Sequence, residues 1–121
     1  MGVKSFRELI AWQMAMELAE AVYRATAEFP KQEQYGLTIQ LRRAAVSIPS
    51  NIAEGQARSS RGEFLQFLGY AQGSLAEVET QVILANRLKY LSESDFQILV
   101  GCIEELGRIL SGLKKSLTTN H

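Results

Sequence analysis

The sequence predicts an all-α protein, an antiparallel up-down-up-down four-helix bundle occupying residues 1–121 as a single domain, and three observations predict it. Apolar residues recur at three- and four-residue spacing along four stretches, as in helices that bury one face. Serine-led capping signals and the pair Phe29-Pro30 punctuate those stretches with short turns. No run alternates with period two between turn signals, so no strand is expected. Helices of roughly 5–29, 35–58, 61–90 and 93–117 joined this way leave no link long enough for a parallel pair.

Helix one opens at Ser5-Phe6-Arg7-Glu8, the spacing of a capping box. Gln13, Glu17, Glu20, Arg24 and Glu28 line up as one solvated stripe, while Leu9, Trp12, Ala15, Met16, Leu18, Ala19, Val22 and Tyr23 fill most of the rest. That apolar arc is wider than one core face requires, and a helix with so little polar surface buries a second side against another subunit or element. Trp12, Met16 and Tyr23 are therefore the expected oligomer contacts, since large aromatic side chains are enriched in such places. Phe29-Pro30 ends the helix, because the residue before proline is pushed out of helical geometry.

Helix two, from Tyr35 to about Arg58, places Leu37, Leu41, Ala44, Ala45, Ile48 and Ile52 on one side, a pattern that crosses Pro49 without losing register. Proline removes one backbone bond and crowds the carbonyl four residues earlier, so a kinked helix is expected, with a broken one as the alternative. Beside the apolar face runs a polar stripe, Arg43, Ser47, Ser50 or Asn51, and Glu54. It has two readings: inter-helix hydrogen bonds and ion pairs that fix register, or a binding surface.

Ser60-Arg61-Gly62-Glu63 caps helix three, whose apolar face runs through Phe64, Phe67, Leu68, Ala71, Leu75, Val78, Val82, Ala85 and Leu88. Ser74, Glu77 and Gln81 form a polar line that would face the Arg43–Ser47–Glu54 line of helix two and join it in a structural network. Ser92-Glu93-Ser94-Asp95 starts helix four, with Phe96, Leu99, Val100, Ile103, Leu106, Ile109, Leu110, Leu113 and Leu117 inward. Its acids come early and its bases late, as the helix dipole favours. Thr118 to His121 are expected to be mobile.

Composition narrows the function. At 46% apolar and 21% charged residues the chain is ordinary globular material, with nothing near the ~20 apolar residues of a membrane span, and the expected location is the cytoplasm. Cys102 is the one cysteine and His121 the one histidine, so Cys–His, Ser–His and di-iron chemistry lack their parts; no metal, cofactor or catalytic residue is expected. The net charge is zero, but residues 35–62 carry Arg42, Arg43, Arg58 and Arg61 against Glu54 alone. A basic excess confined to one segment can meet phosphate, above all when an oligomer repeats it.

The run YGLTIQLRRAAVSIPSNIAEG, followed by FLQFLGYAQGSLAEVETQ and preceded by SFRELIAWQMAMELAEAVY, resembles the small bacterial four-helix-bundle proteins encoded by intervening sequences within 23S rRNA genes. The resemblance implies a homopentamer around a central pore. Accessory proteins of diversity-generating retroelements share that fold, although their basic surfaces contrast with the zero net charge here. Two functions are therefore carried forward. One is a non-enzymatic oligomeric assembly or binding module. The other is an RNA-binding protein in which Arg42, Arg43, Arg58 and Arg61, with Lys114 and Lys115, contact phosphate.

Overall fold

The computed structural model describes residues 5–119 and is all helical. Its four helices are α1 (Ile10–Thr26), α2 (Leu37–Gln56), α3 (Arg61–Arg87) and α4 (Glu93–Thr119), with short 3-10 turns at Phe6–Glu8 and Lys31–Glu33. Each helix touches its neighbours in sequence, α1 also touches α4, and the diagonal pairs do not meet, so the four stand in a square. Contacts run in opposite directions along neighbouring helices. Gly55, late in α2, lies against Phe64 and Phe67 at the start of α3, whereas Ser47, earlier in α2, meets Ser74 further along α3. The bundle is thus antiparallel, and Leu18, Leu41, Ile48, Ile52, Leu68, Leu99, Leu106 and Leu110 fill its centre almost without exposure.

The first helix starts later than the Ser5 signal predicts. The Ser5 hydroxyl accepts from the Arg7 amide at 3.2 Å, two residues on rather than three, and so caps a 3-10 turn. Leu9 then adopts extended geometry (φ −75°, ψ 128°), and α1 begins at Ile10. Two contacts hold the turn back against the helix: Phe6 meets Trp12 edge-on at 5.3 Å, and the Gln13 side chain donates to the Arg7 carbonyl at 2.9 Å. At the other end α1 stops at Thr26, and Phe29 is buried beyond it.

Between α1 and α2, Glu33 bridges two elements. Its Oε1 accepts from the Leu37 amide at 3.0 Å, capping α2 where Gly36 has no side chain, and its Oε2 accepts from the Tyr90 hydroxyl at 2.8 Å. Helix α2 then runs unbroken through a buried Pro49. The turn that follows is tight because a Cβ on Gly55 would lie 2.6 Å from Phe67 Cβ, so only glycine lets α2 and α3 approach there.

Ser60 caps α3 by accepting from the Glu63 amide at 3.1 Å, and Ser92 caps α4 by accepting from the Asp95 amide at 3.0 Å. Between them Lys89 takes a positive φ of 65°, and the Tyr90 amide reaches the Ala85 carbonyl at 2.9 Å to close α3. Leu88, expected on the inner face, is 47% exposed, because the chain is already leaving the helix there. Helix α4 continues to Thr119, through the first residues of the tail expected to be mobile; residues 120 and 121, with His121, lie outside the described residues. Among the described residues no helix is long and apolar enough to cross a membrane.

Candidate interaction site

The wide apolar arc of α1 resolves into two sides. Ala11, Ala15, Leu18 and Val22 point into the core, while Trp12, Met16 and Tyr23 remain partly or largely exposed on the α2 side. With Phe6, Val46 and Pro49 they wall a groove of about 640 Å³ between α1 and α2. A second depression of about 710 Å³ adjoins it along α2, lined by Tyr35, Ile39, Arg42, Arg43 and Ser47, and the two share Tyr23, Val46 and Ser50. The three expected interface residues are thus brought together. Val46 and Tyr35, which no apolar periodicity assigned to an interface, belong with them.

Arg42 is spoken for. Its Nε donates to Thr26 Oγ1 at 2.8 Å, its Nη2 to the Tyr23 carbonyl at 3.3 Å, and its guanidinium lies 4.4 Å from the Tyr23 ring centre. A cation there satisfies the Tyr23 carbonyl and the Thr26 hydroxyl at the end of α1 and meets the negative end of its dipole, while the stacking fixes the aromatic wall of the groove. Arg43 is exposed at the groove's edge.

The expected polar network is smaller than its sequence spacing implied. Ser47 and Ser74 share a hydrogen bond at 2.6 Å between α2 and α3. The other members turn elsewhere: Asn51 donates to the Ser47 carbonyl of its own helix at 2.8 Å, and Glu54 pairs with Arg58 at 2.9 Å rather than with Arg43. Glu77 is exposed. Gln81, on the same line of α3, has a buried Oε1 without a protein partner.

Nor do the six candidate phosphate contacts form one patch. Arg58, Arg61, Lys114 and Lys115 belong to the end of the bundle where α2 and α4 finish and α3 begins. Arg42 and Arg43 lie four turns away along α2, about 24 Å at 1.5 Å per residue. Within the end group Arg58 is paired with Glu54 and lies over Phe67, 4.7 Å from the ring centre, and Lys114 donates to Gln72 at 3.0 Å. Arg61 and Lys115 are exposed and also engaged.

Cys102 sits half-buried on α4, where burial above all, and the nearby Glu17 charge next, push its thiol above the ordinary range. It is therefore a neutral, weakly nucleophilic thiol at pH 7. Among the described residues no group of three or more His, Cys, Asp or Glu side chains is placed to hold a metal ion.

Comparison with known proteins agrees with this architecture. The crystal structure of a protein of unknown function from the S23 ribosomal protein family of Bacteroides thetaiotaomicron superposes with a TM-score of 0.78 at 22% identity, covering 88% of this chain and 99% of that one. No curated protein matches. Residues 7–112 match the family described as 23S rRNA-intervening sequence protein, and that span takes in all of α1, α2 and α3 and most of α4. The chain belongs to the 23S rRNA-intervening sequence protein family.

Proposed function

We propose that this chain works as a non-enzymatic, self-associating module of the cytoplasm, an assembly or binding unit whose subunits meet on the α1–α2 groove. The observation that carries this reading is the exposure of Met16 (36%), Tyr23 (46%) and Val46 (42%) along one continuous apolar groove. Water on such a surface is released when a partner covers it, at about 25 cal/mol per Å² of apolar area. The family resemblance adds a count of five subunits, and the proline chemistry of Pro49 adds a bend of α2. Native mass spectrometry tests the association. The expected result is a single species at five times the 13.5 kDa subunit mass, reduced to folded monomer by Met16→Glu with Tyr23→Glu. A monomeric wild-type protein would refute the reading.

A second reading, RNA binding, is favoured by the gathering of Arg58, Arg61, Lys114 and Lys115 at one end of the bundle, which an oligomer would repeat. Its test is the salt dependence of binding to single-stranded and duplex RNA. Arg58→Ala with Arg61→Ala should flatten the slope of log K against log salt by about one unit for each phosphate that is no longer neutralised. An unchanged slope and affinity would remove that surface from consideration.

A further inference from the structure

Along α2 the depression beside the groove has a charge pattern of its own. None of its lining residues is acidic, and the chain carries no Asp or Glu between Gln34 and Ala53. Ile39 and Val46, seven residues and about 10 Å apart along the helix, form an apolar strip on its outward side. Arg42 and Arg43 stand between them in sequence and about 100° apart around the helix. One guanidinium therefore flanks the strip on the α1 side, where Arg42 meets Thr26, and the other flanks it on the far side.

Both guanidinium groups keep their charge unopposed. Arg42 is held by the Thr26 hydroxyl and by the carbonyl and ring of Tyr23, which are all neutral. Arg43 is exposed and makes no hydrogen bond or ion pair among the described residues. Thr38, one turn before Arg42 on the same wall, is only 9% exposed, and its hydroxyl has no hydrogen-bond partner among the described residues. A hydroxyl so enclosed has a bond to give, and a guanidinium already held in place loses little freedom when an anion meets it. We infer that this depression binds a small amphipathic anion, a carboxylate or phosphate monoester carried on an apolar body. Arg42, Arg43 and Thr38 meet the charged group, and the body lies along Ile39 and Val46 beside Tyr23. The volume of about 710 Å³ falls in the range of roughly 300–1,000 Å³ that small-molecule sites occupy. The inference does not depend on the self-association proposed above, since Thr38, Ile39 and Arg43 lie outside the α1–α2 groove.

The test titrates the full chain with anilinonaphthalene sulfonate, an aromatic anion that fluoresces in apolar surroundings, and repeats the titration on Met16→Glu, which alters only the neighbouring groove. The expected result in both is one saturable site per subunit. Arg43→Ala should weaken it about tenfold and Thr38→Val about threefold, and the uncharged N-phenylnaphthylamine should bind about tenfold less tightly than the sulfonate. Octanoate and adenosine monophosphate then serve as competitors. Displacement by octanoate supports the site and identifies an alkyl carboxylate, and displacement by adenosine monophosphate supports it and identifies a nucleotide phosphate. Displacement by inorganic phosphate at the same concentration would overturn the role of the apolar body. Dye binding that is unchanged in both Arg43→Ala and Ile39→Glu, or that is lost in Met16→Glu, would overturn the site itself. A monomeric wild-type protein that binds the dye as expected would refute self-association and leave this site standing.

Discussion

Glu33 shows how one side chain can hold two distant parts of the chain. The Leu37 amide first, and the Tyr90 hydroxyl second, lower the Glu33 carboxyl below its ordinary 4.5, and the same bond to Glu33 is the main cause that raises Tyr90 above its ordinary 10.0. A carboxyl with a lower value in the folded than in the unfolded chain contributes stability that is present above the ordinary value and lost as pH falls through the folded one. Tyr90 contributes in the opposite sense, keeping its share below its ordinary value and losing it as pH rises through the folded one. Thermal melts from pH 7 downwards should therefore show Glu33→Gln losing less stability below pH 4.5 than the wild type, because the remaining carboxylates are common to both. Equal acid slopes would mean that the bridge contributes nothing. No sequence pattern marks this pair, whose members stand far apart in the chain. The same holds for Arg42, which the local charge balance marked as a phosphate contact and which instead spends its hydrogen bonds on Thr26 and Tyr23.

At the scale of elements the sequence is most readable where periodicity and caps agree. Ser60 and Ser92 cap α3 and α4 where their spacing says they should, whereas the Ser5 signal caps a 3-10 turn because Phe6 packs on Trp12 and draws the chain aside. Tertiary contact overrode local propensity there. The polar stripe of α2 failed for a related reason: spacing places residues on one face but does not say whether each reaches across or bonds along its own helix, as Asn51 does. Glycines divide in the same way. At Gly55 an added Cβ would meet Phe67 Cβ at 2.6 Å, while at Gly101 nothing lies within 4 Å. Gly55→Ala should destabilise the fold by roughly 1–3 kcal/mol through forced separation of α2 and α3, and Gly101→Ala should stabilise it by up to about 1 kcal/mol. Urea midpoints of the two variants check both, and a tolerated Gly55→Ala would contradict the close approach.

For the whole molecule, the self-association proposed on the groove would link stability to concentration. A bundle that leaves Met16, Tyr23 and Val46 partly in water gains free energy each time a second copy covers them. Only the folded chain presents the groove, so association there would pull the folding equilibrium towards the native state in proportion to the logarithm of free subunit over its dissociation constant. The melting temperature should therefore rise with protein concentration over a hundredfold dilution series. Met16→Glu should abolish that rise while leaving the core untouched, since Met16 faces the groove and Leu18 and Val22 hold the interior. A core variant such as Leu106→Ala should do the reverse, lowering the melting point at every concentration by the equivalent of roughly 2–5 kcal/mol while the rise persists. If Leu106→Ala and Met16→Glu instead changed the curve in the same way, groove and core would not be separable surfaces. The outer side of α1 would then be part of the fold rather than the place where one copy meets another.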